Sequence, residues 1–219
     1  GALSMGQYKT LQNAGFSPDF TAGHSFGEMT ALWAAGVYDD ETFLNLAKTR
    51  GEAMAKDNPN SDAGTMLAVK ASQESIAAAI TNIPGVRIAN VNSNKQVVLG
   101  GSTAAIKSAE EQLKANGFSV VPLPVAAAFH TDLVKHAQVP FSKFVTKQKF
   151  KSPQIPVYSN TTGELYPDGV RELKSILKNQ ILNPVLFKNQ INNIYDANIY
   201  CLTFLLSIVK FQRQYGIYQ

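Results

Sequence analysis

The spacing of hydrophobic positions changes along the chain. In residues 1–60, apolar side chains recur at helical spacing near Met5 and again between Phe43 and Met54, and this period predicts helices. A short apolar run at residues 16–22 predicts a strand, and residues 28–35 return to the helical period. The alternation of strand and helix is typical of an α/β fold.

Residues 61–126 show a different pattern, in which short predicted strands and helices follow one another. The predicted elements are a strand at 65–70, a helix at 72–80, strands at 86–92 and 96–101, a helix at 102–115 and a strand at 118–123. Ser72 and Ser102 are suited to cap the two helices, because a serine hydroxyl accepts a hydrogen bond from a free N–H of the first turn. The order βαββαβ predicts a ferredoxin-like unit. We therefore expect a small subdomain at 61–126, inserted into a large α/β subdomain formed by residues 1–60 and 127–219.

The chain after residue 127 returns to longer elements. It predicts a strand at 155–160 and helices at 170–181 and 184–194. Residues 141–151 carry lysines between phenylalanines, which favours a solvated helix with an apolar underside over a docking patch. The apolar stretch at 199–209 is too short to cross a bilayer and favours a buried strand or helix.

Composition and charge narrow the choice of function. Of the 219 residues, 45% are hydrophobic, which is enough to fill a sizeable core. The formal net charge of +4 comes from scattered lysines, a pattern too diffuse for a nucleic-acid surface. The single cysteine, Cys201, excludes an internal disulfide framework and a cysteine metal site, so we expect a cytoplasmic protein without a bound metal. The chain begins at Gly1 without a charged and then apolar leader, so we expect an excised piece with no signal peptide.

The main chemical signal is the sequence Gly23-His24-Ser25-Phe26-Gly27, between the predicted strand 16–22 and the predicted helix 28–35. In that setting, Gly-x-Ser-x-Gly places one serine on a sharp turn, with its hydroxyl exposed and the next backbone N–H aimed at the same point. Side chains on the flanking glycines would collide where the turn is tightest. Ser25 is therefore a candidate nucleophile for acyl transfer.

A nucleophilic serine needs a base, and the chain contains three histidines. His130, after a run of small residues, is a better candidate than His136, which lies among polar residues on a predicted surface helix. His24 adjoins Ser25, but neighbours on a turn usually point apart, so we interpret it as shaping the turn. A structural role for His130 remains the alternative.

Arg50 is a cation on an otherwise apolar helical stripe. A buried guanidinium needs a carboxylate or comparable acceptors, and no acidic residue shares the stripe. In one interpretation, the aliphatic stem lets the charged head reach solvent or a distant glutamate. In the other, Arg50 binds the carboxylate of a substrate.

These features together resemble the malonyl-CoA:acyl carrier protein transacylase family, and within it the acyltransferase domains of polyketide and polyunsaturated-fatty-acid synthases. The resemblance extends over about residues 17–197. The motifs that carry it are, in chain order, Gly23-His24-Ser25-Phe26-Gly27-Glu28, Arg50-Gly51-Glu52-Ala53-Met54, Asn92-Ser93, Val98-Leu99-Gly100-Gly101, Ala128-Phe129-His130, Pro156-Val157-Tyr158-Ser159-Asn160-Thr161-Thr162-Gly163, and Gln180 ahead of Asn183-Pro184-Val185.

The resemblance implies a hydrolase-like, parallel-sheet large subdomain that carries the ferredoxin-like insertion, with the active site in the cleft between them. It implies that Ser25 is the nucleophile, that His130 is its base, and that the Phe26 N–H is one oxyanion donor. Gln180 matches a residue that orients the histidine through its backbone carbonyl, which implies a Ser-His dyad without an aspartate.

The same resemblance implies the substrate and partners. Arg50 would clamp a malonyl carboxylate, and Phe129 matches the position that separates malonyl from methylmalonyl selection. Met54 and Gln180 complete the implied substrate-binding residues. Malonyl-CoA would be the substrate, with no bound cofactor. The acceptor would be the phosphopantetheine thiol of an acyl carrier protein, and a ketosynthase would be a neighbouring domain.

Two other functions stay open at this point. One is an esterase or thioesterase with the same Gly-x-Ser-x-Gly serine turn, and the other is a non-catalytic module that docks a carrier protein. Family members begin earlier, with a segment that supplies a second oxyanion N–H, and end in a Gly-Pro turn that this chain lacks after Ala197. We therefore expect an active parent domain and an impaired isolated fragment.

Overall fold

A computed structural model of the protein describes residues 1–55 and 62–197. The helices are α1 (Ala2–Asn13), α2 (Gly27–Ala34), α3 (Asp40–Ala55), α4 (Gln73–Ala79), α5 (Thr103–Ala115), α6 (Lys135–Lys147), α7 (Val170–Asn179) and α8 (Phe187–Asp196), with a 3₁₀ helix at Asp132–Val134. The strands are β1 (Thr21–Ala22), β2 (Thr65–Lys70), β3 (Val86–Ser93), β4 (Gln96–Gly101), β5 (Ser119–Leu123) and β6 (Val157–Tyr158). We call residues 65–123 the sheet unit and residues 1–55 and 127–197 the elbow unit.

The elbow unit contains a parallel strand pair packed among helices. β1 pairs with β6, with Thr21 opposite Val157. The predicted α/β class with a parallel sheet is confirmed, but the strand predicted at 16–22 is only two residues long. Pro18 has no N–H for a ladder hydrogen bond and Asp19 is exposed, so pairing begins only where the Thr21 N–H donates to Pro156 O at 2.8 Å.

One hydrophobic core joins the helices of the elbow unit. It packs α2 and α3 against α6 and α7. Its fully buried side chains include Leu32, Phe43, Leu46, Phe141, Leu173 and Leu177. Each such side chain contributes about 1.5–3 kcal/mol when removed from water, and this packing holds α2 in place as it leaves the Ser25 turn.

The sheet unit is antiparallel throughout, in the strand order β3-β4-β2-β5. This order, with α4 and α5 as the two crossovers, confirms the predicted ferredoxin-like arrangement. Ser72 and Ser102 cap the two helices as predicted, because their hydroxyls accept from the Ser75 and Ala105 N–H groups at 3.2 and 3.1 Å.

The two units meet along β3. The Val91 N–H donates to Val185 O at 2.8 Å, and the Val185 N–H donates to Ala89 O at 2.9 Å. Because Val185 is extended to pair with β3, helix α8 begins at Phe187, and the prediction that it begins at Pro184 was wrong. Arg87 of β3 also forms a 2.7 Å ion pair with Asp132.

The other predictions about the fold have different outcomes. The subdomain boundaries at 60/61 and 126/127 stay predictions. The stretch 199–209 and Cys201 lie outside the described residues. In α6, Phe141 and Val145 are buried and Lys143 and Lys147 are exposed, as in a solvated helix. No helix within residues 1–55 and 62–197 combines the length and the apolar character needed to span a bilayer.

Candidate active site

The turn that carries Ser25 depends on a close backbone approach. A Cβ atom on Gly23 would lie 2.1 Å from the main-chain carbon and oxygen of Gly27, so only glycine fits there. Ser25 itself has a φ of 54°, in the left-handed region that non-glycine residues rarely adopt. Helix α2 begins two residues later, which is the strand-to-helix turn that the sequence predicts.

His130 contacts Ser25 directly. The Ser25 Oγ lies 2.7 Å from His130 Nε2, although the two residues are 105 positions apart. On the other side of the ring, His130 Nδ1 lies 3.2 Å from Gln180 O and 3.0 Å from Asn183 O. Carbonyl oxygens can only accept, so Nδ1 carries the proton and Nε2 presents a lone pair to the Ser25 hydroxyl.

The environment of His130 disfavours its charged form. The residue is 2% exposed, and burial lowers the pKa of the imidazole to about 3, with smaller contributions from the Arg50 cation and from His24. The two carbonyl acceptors work in the opposite direction. The His130 imidazole is therefore neutral at physiological pH.

Gln180 joins the candidate dyad to Arg50. Its side-chain Nε2 donates to the main-chain oxygen of Ser25 at 2.9 Å, and its Oε1 accepts from Arg50 Nη2 at 3.5 Å. Its main-chain oxygen accepts from His130. One residue at the end of α7 thus contacts Ser25, His130 and Arg50.

Arg50 is buried without a carboxylate partner in contact. It is 6% exposed, its Nε has no hydrogen-bond partner, and none of the ion pairs of the described residues includes it. Its guanidinium carbon lies 5.7 Å from the centre of the Phe26 ring. Burial lowers the pKa of Arg50 to about 10, opposed by the Glu28 carboxylate, so the cation persists at neutral pH. The side chain faces inward, so the interpretation that its head reaches solvent was wrong, whereas a distant glutamate, Glu28, does act on it electrostatically.

The two remaining predicted site residues are Met54 and Phe129. Met54 and Phe129 are partly buried and pack on the same small cluster, which contains Ala53 and Ala137. Phe129 also packs on a second cluster, whose buried members all belong to the sheet unit. Phe129 therefore lies where the two units meet.

The other two histidines lie outside the contact between Ser25 and His130. His24 Nε2 lies 2.9 Å from Asn92 Oδ1, and the His24 ring meets Phe187 edge to face. His136 is exposed on α6. Among residues 1–55 and 62–197, no three His, Cys, Asp or Glu side chains cluster in a way that could hold a metal ion.

A partly buried serine in contact with a buried imidazole, together with a buried cation that has no carboxylate in contact, suits the transfer of an acyl group that carries an anion. The family described as "Acyl transferase domain" matches residues 1–205 of this chain. The chain belongs to this acyl transferase family.

Known relatives of this acyl transferase domain are similar over most of its length. A malonyl CoA-acyl carrier protein transacylase from Synechocystis sp. is 37% identical over 186 residues, which are 84% of this chain and 61% of that protein. One of the subunits of a polyunsaturated fatty acid synthase from Thraustochytrium sp. is 34% identical over 200 residues, 90% of this chain and 7% of that protein.

A solved structure supports the same fold. A malonyl-transacylase in complex with a type II polyketide synthase acyl-carrier protein matches with a TM-score of 0.83 and 29% identity, over 90% of this chain and 65% of that chain. The acyl transferase domain therefore spans less than two thirds of the length of each of these three relatives.

The sequence reasoning gave no role to two buried groups of the acyl transferase domain that touch the Ser25 turn. Asn160, at the carboxyl end of β6, accepts from the Ser25 N–H at 2.5 Å. Glu28, in the first turn of α2, is fully buried, and its Oε1 accepts from the Asn160 N–H and the Tyr166 hydroxyl. A signal was present, because the carboxyl ends of parallel strands meet at one edge of a sheet, and Ser25 and Asn160 each follow such a strand.

Proposed function

We propose that this acyl transferase domain moves a malonyl group from CoA to the phosphopantetheine thiol of an acyl carrier protein through an ester on Ser25. The observation that carries the proposal is the 2.7 Å contact between Ser25 Oγ and His130 Nε2 beside a buried cation. The transacylase activity named for the Synechocystis relative supports it.

The first half of the reaction uses Ser25 and His130. The hydroxyl proton moves to His130 Nε2 as Oγ attacks the thioester carbonyl, a contribution of about 10²- to 10⁴-fold. The Phe26 N–H stabilises the oxyanion, and one such donor contributes about 3–4 kcal/mol. The carbon–sulfur bond then breaks, the CoA sulfur takes the proton from Nε2, and a malonyl ester remains on Ser25.

The second half reverses these steps with a different thiol. The phosphopantetheine sulfur gives its proton to His130 Nε2 and attacks the ester carbonyl. The bond to Ser25 Oγ breaks, and Oγ recovers the proton. In this dyad the carbonyls of Gln180 and Asn183 hold the ring in the tautomer that both halves need, without an aspartate.

Arg50 selects the malonyl group. A bidentate arginine–carboxylate contact is worth about 1.5–3 kcal/mol, which a neutral acyl group does not gain. The bound carboxylate also neutralises the charge that helps to lower the pKa of His130. The base is therefore stronger when a malonyl group is in place than in the free domain.

The acceptor is inferred from chemistry and from a relative. The solved malonyl-transacylase that matches this fold binds an acyl-carrier protein. A thiol on a flexible arm can reach an ester on a partly buried serine, and it returns His130 to its starting state.

Intact-mass measurement after incubation with malonyl-CoA tests the proposal. We expect one malonyl adduct on the unsubstituted protein, none on Ser25→Ala, and an unchanged adduct on the control Ser17→Ala, whose serine is exposed. Addition of a holo carrier protein should remove the adduct and load the carrier. Rapid release of free malonate without a carrier would indicate an esterase, and carrier binding without any adduct would indicate a docking module.

A further inference from the structure

Asn160 is a buried residue whose side chain spans the Ser25 turn. It is 1% exposed. Its Oδ1 accepts from the Ser25 N–H at 2.5 Å, and its Nδ2 donates to Gly23 O at 2.5 Å and to Gln190 Oε1 at 2.9 Å. Because Gly23 and Ser25 flank His24, one amide binds both sides of the turn and uses its full donor capacity.

The main chain of Asn160 is held as firmly as its side chain. Its N–H donates to Glu28 Oε1 at 2.8 Å, and its oxygen accepts from the Leu186 N–H at 2.8 Å. The Tyr166 hydroxyl donates to the same Glu28 oxygen at 2.7 Å. The base of the Asn160 side chain therefore has a fixed position relative to α2, the helix that follows Ser25.

Gln190 reinforces the direction in which the Asn160 amide faces. Gln190 is fully buried, and its Nε2 donates to Tyr158 O at 2.8 Å. Since that carbonyl can only accept, Gln190 uses its NH₂ group there and turns its Oε1 to Asn160. Asn160 must therefore donate to this oxygen from its own NH₂ group. The Asn160 Oδ1 is then left for the Ser25 N–H, which can only donate.

From these contacts we infer that Asn160 is a positioning residue for Ser25, and that Gln190 supports its orientation. The inference rests on the proposed function of Ser25. A left-handed φ is unfavourable for a non-glycine residue, and a relaxed φ would turn Oγ away from His130. The penalty for leaving this N–H without an acceptor is comparable to the cost of the left-handed φ, so the bond to Asn160 is strong enough to hold Ser25 at 54°.

The position of Ser25 also decides where the oxyanion forms. Because the Ser25 N–H points to Asn160, it is not directed at the reacting carbonyl. The Phe26 N–H, one peptide further on, is placed by the same bonds. Loss of Asn160 should therefore disturb the nucleophile and the oxyanion donor together, while the Arg50 side chain keeps its Gln180 partner.

The test measures the rate at which a fluorophosphonate labels Ser25, because this reagent needs the activated serine but neither CoA nor Arg50. In Asn160→Asp, which has the same shape, a carboxylate faces Gly23 O and Gln190 Oε1, and we expect labelling at about pH 8 to fall roughly 10- to 100-fold. Protonation gives the new carboxyl group an O–H donor for one of these oxygens. Its labelling rate should therefore rise as the pH is lowered to about 5.5, whereas that of the unsubstituted protein should not.

Two further variants separate positioning from general stability. Gln190→Met removes the acceptor that orients Asn160 and should slow labelling about 3- to 10-fold. The control Asn193→Ala lies on the same helix α8, where its Nδ2 donates to Gly163 O at 3.0 Å away from the turn, and its labelling rate should stay within about twofold. Circular dichroism and thermal unfolding show which variants are folded.

The outcomes are distinguishable. Equal labelling of the folded Asn160→Asp or Gln190→Met variant and the unsubstituted protein, at every pH, would overturn this inference and leave the proposed function intact. An unsubstituted protein that takes neither fluorophosphonate nor malonyl would overturn the proposed function and this inference with it.

Discussion

Ser25 and His130 share a backbone property as well as a hydrogen bond. They are the two non-glycine residues of the described chain with positive φ, at 54° and 62°, and their side chains meet at 2.7 Å. Each such conformation costs about 1–3 kcal/mol and persists only where the surroundings enforce it. Two strained residues in mutual contact indicate that the fold maintains this contact at the expense of local stability.

The pH dependence of stability should reveal the neutral state of His130. Its pKa is about 3 in the folded state and near the ordinary 6.5 in the unfolded state. Between these values only the unfolded chain takes up the proton, so stability is complete above pH 6.5 and falls as the pH decreases toward 3. This group alone should remove up to about 1.4 kcal/mol per pH unit from the free energy of unfolding.

Urea unfolding at several pH values checks this expectation. The difference in unfolding free energy between the unsubstituted protein and His130→Asn should shrink as the pH is lowered below about 6.5. The control His136→Asn replaces an exposed histidine and should follow the unsubstituted protein. A difference that stays constant with pH would show that His130 is protonated equally in both states.

Arg50 should govern the choice between malonyl and acetyl groups. Arg50→Ala should lower the ratio of kcat/KM for malonyl-CoA over acetyl-CoA by about 10- to 150-fold, which corresponds to the 1.5–3 kcal/mol of a paired carboxylate. The exposed Arg171→Ala is the matched control and should leave the ratio unchanged. The acid limb of acetyl transfer should also move to higher pH in Arg50→Ala, because removal of the cation raises the pKa of His130.

The elements that sequence reasoning predicted best are those with strong local signals. The order of the sheet unit, its serine caps and the Gly23 turn follow from patterns within a few residues. The shortened β1 and the late start of α8 were not predicted, because both depend on where a distant strand offers a partner. The contacts of Asn160 were not predicted for the same reason, because its partners Gly23 and Gln190 are distant from it in sequence.

Phe129 should bias the domain against a branched extender unit. It packs between the clusters of the two units, and a ring there leaves less room for the extra methyl group of methylmalonyl. One methyl group in a pocket is worth about 1–3 kcal/mol, so Phe129→Ser should raise the methylmalonyl to malonyl loading ratio by roughly 10-fold.

The loading ratio is measured by competition between the two CoA esters, followed by intact-mass analysis. A ratio is needed because loss of the buried ring also destabilises the protein and lowers both rates. Phe150→Ser is the control, since Phe150 is a partly buried phenylalanine that packs on the main core of the elbow unit. An equal change of the ratio in both variants would assign the effect to stability.

The Gly23 turn should tolerate no side chain. In Gly23→Ala the new methyl group would meet the Gly27 main chain at 2.1 Å, and because backbone cannot rotate away, the variant should lose more than about 3 kcal/mol of unfolding free energy or fail to fold. Gly6→Ala is the control, because Gly6 lies inside α1 with nothing within 4 Å of an added Cβ. That substitution should stabilise the protein by about 0.5–1 kcal/mol, since alanine is the better helix former. Denaturant unfolding measures the free energy of unfolding of both variants. A Gly23→Ala protein as stable as Gly6→Ala would contradict the tight turn before Ser25.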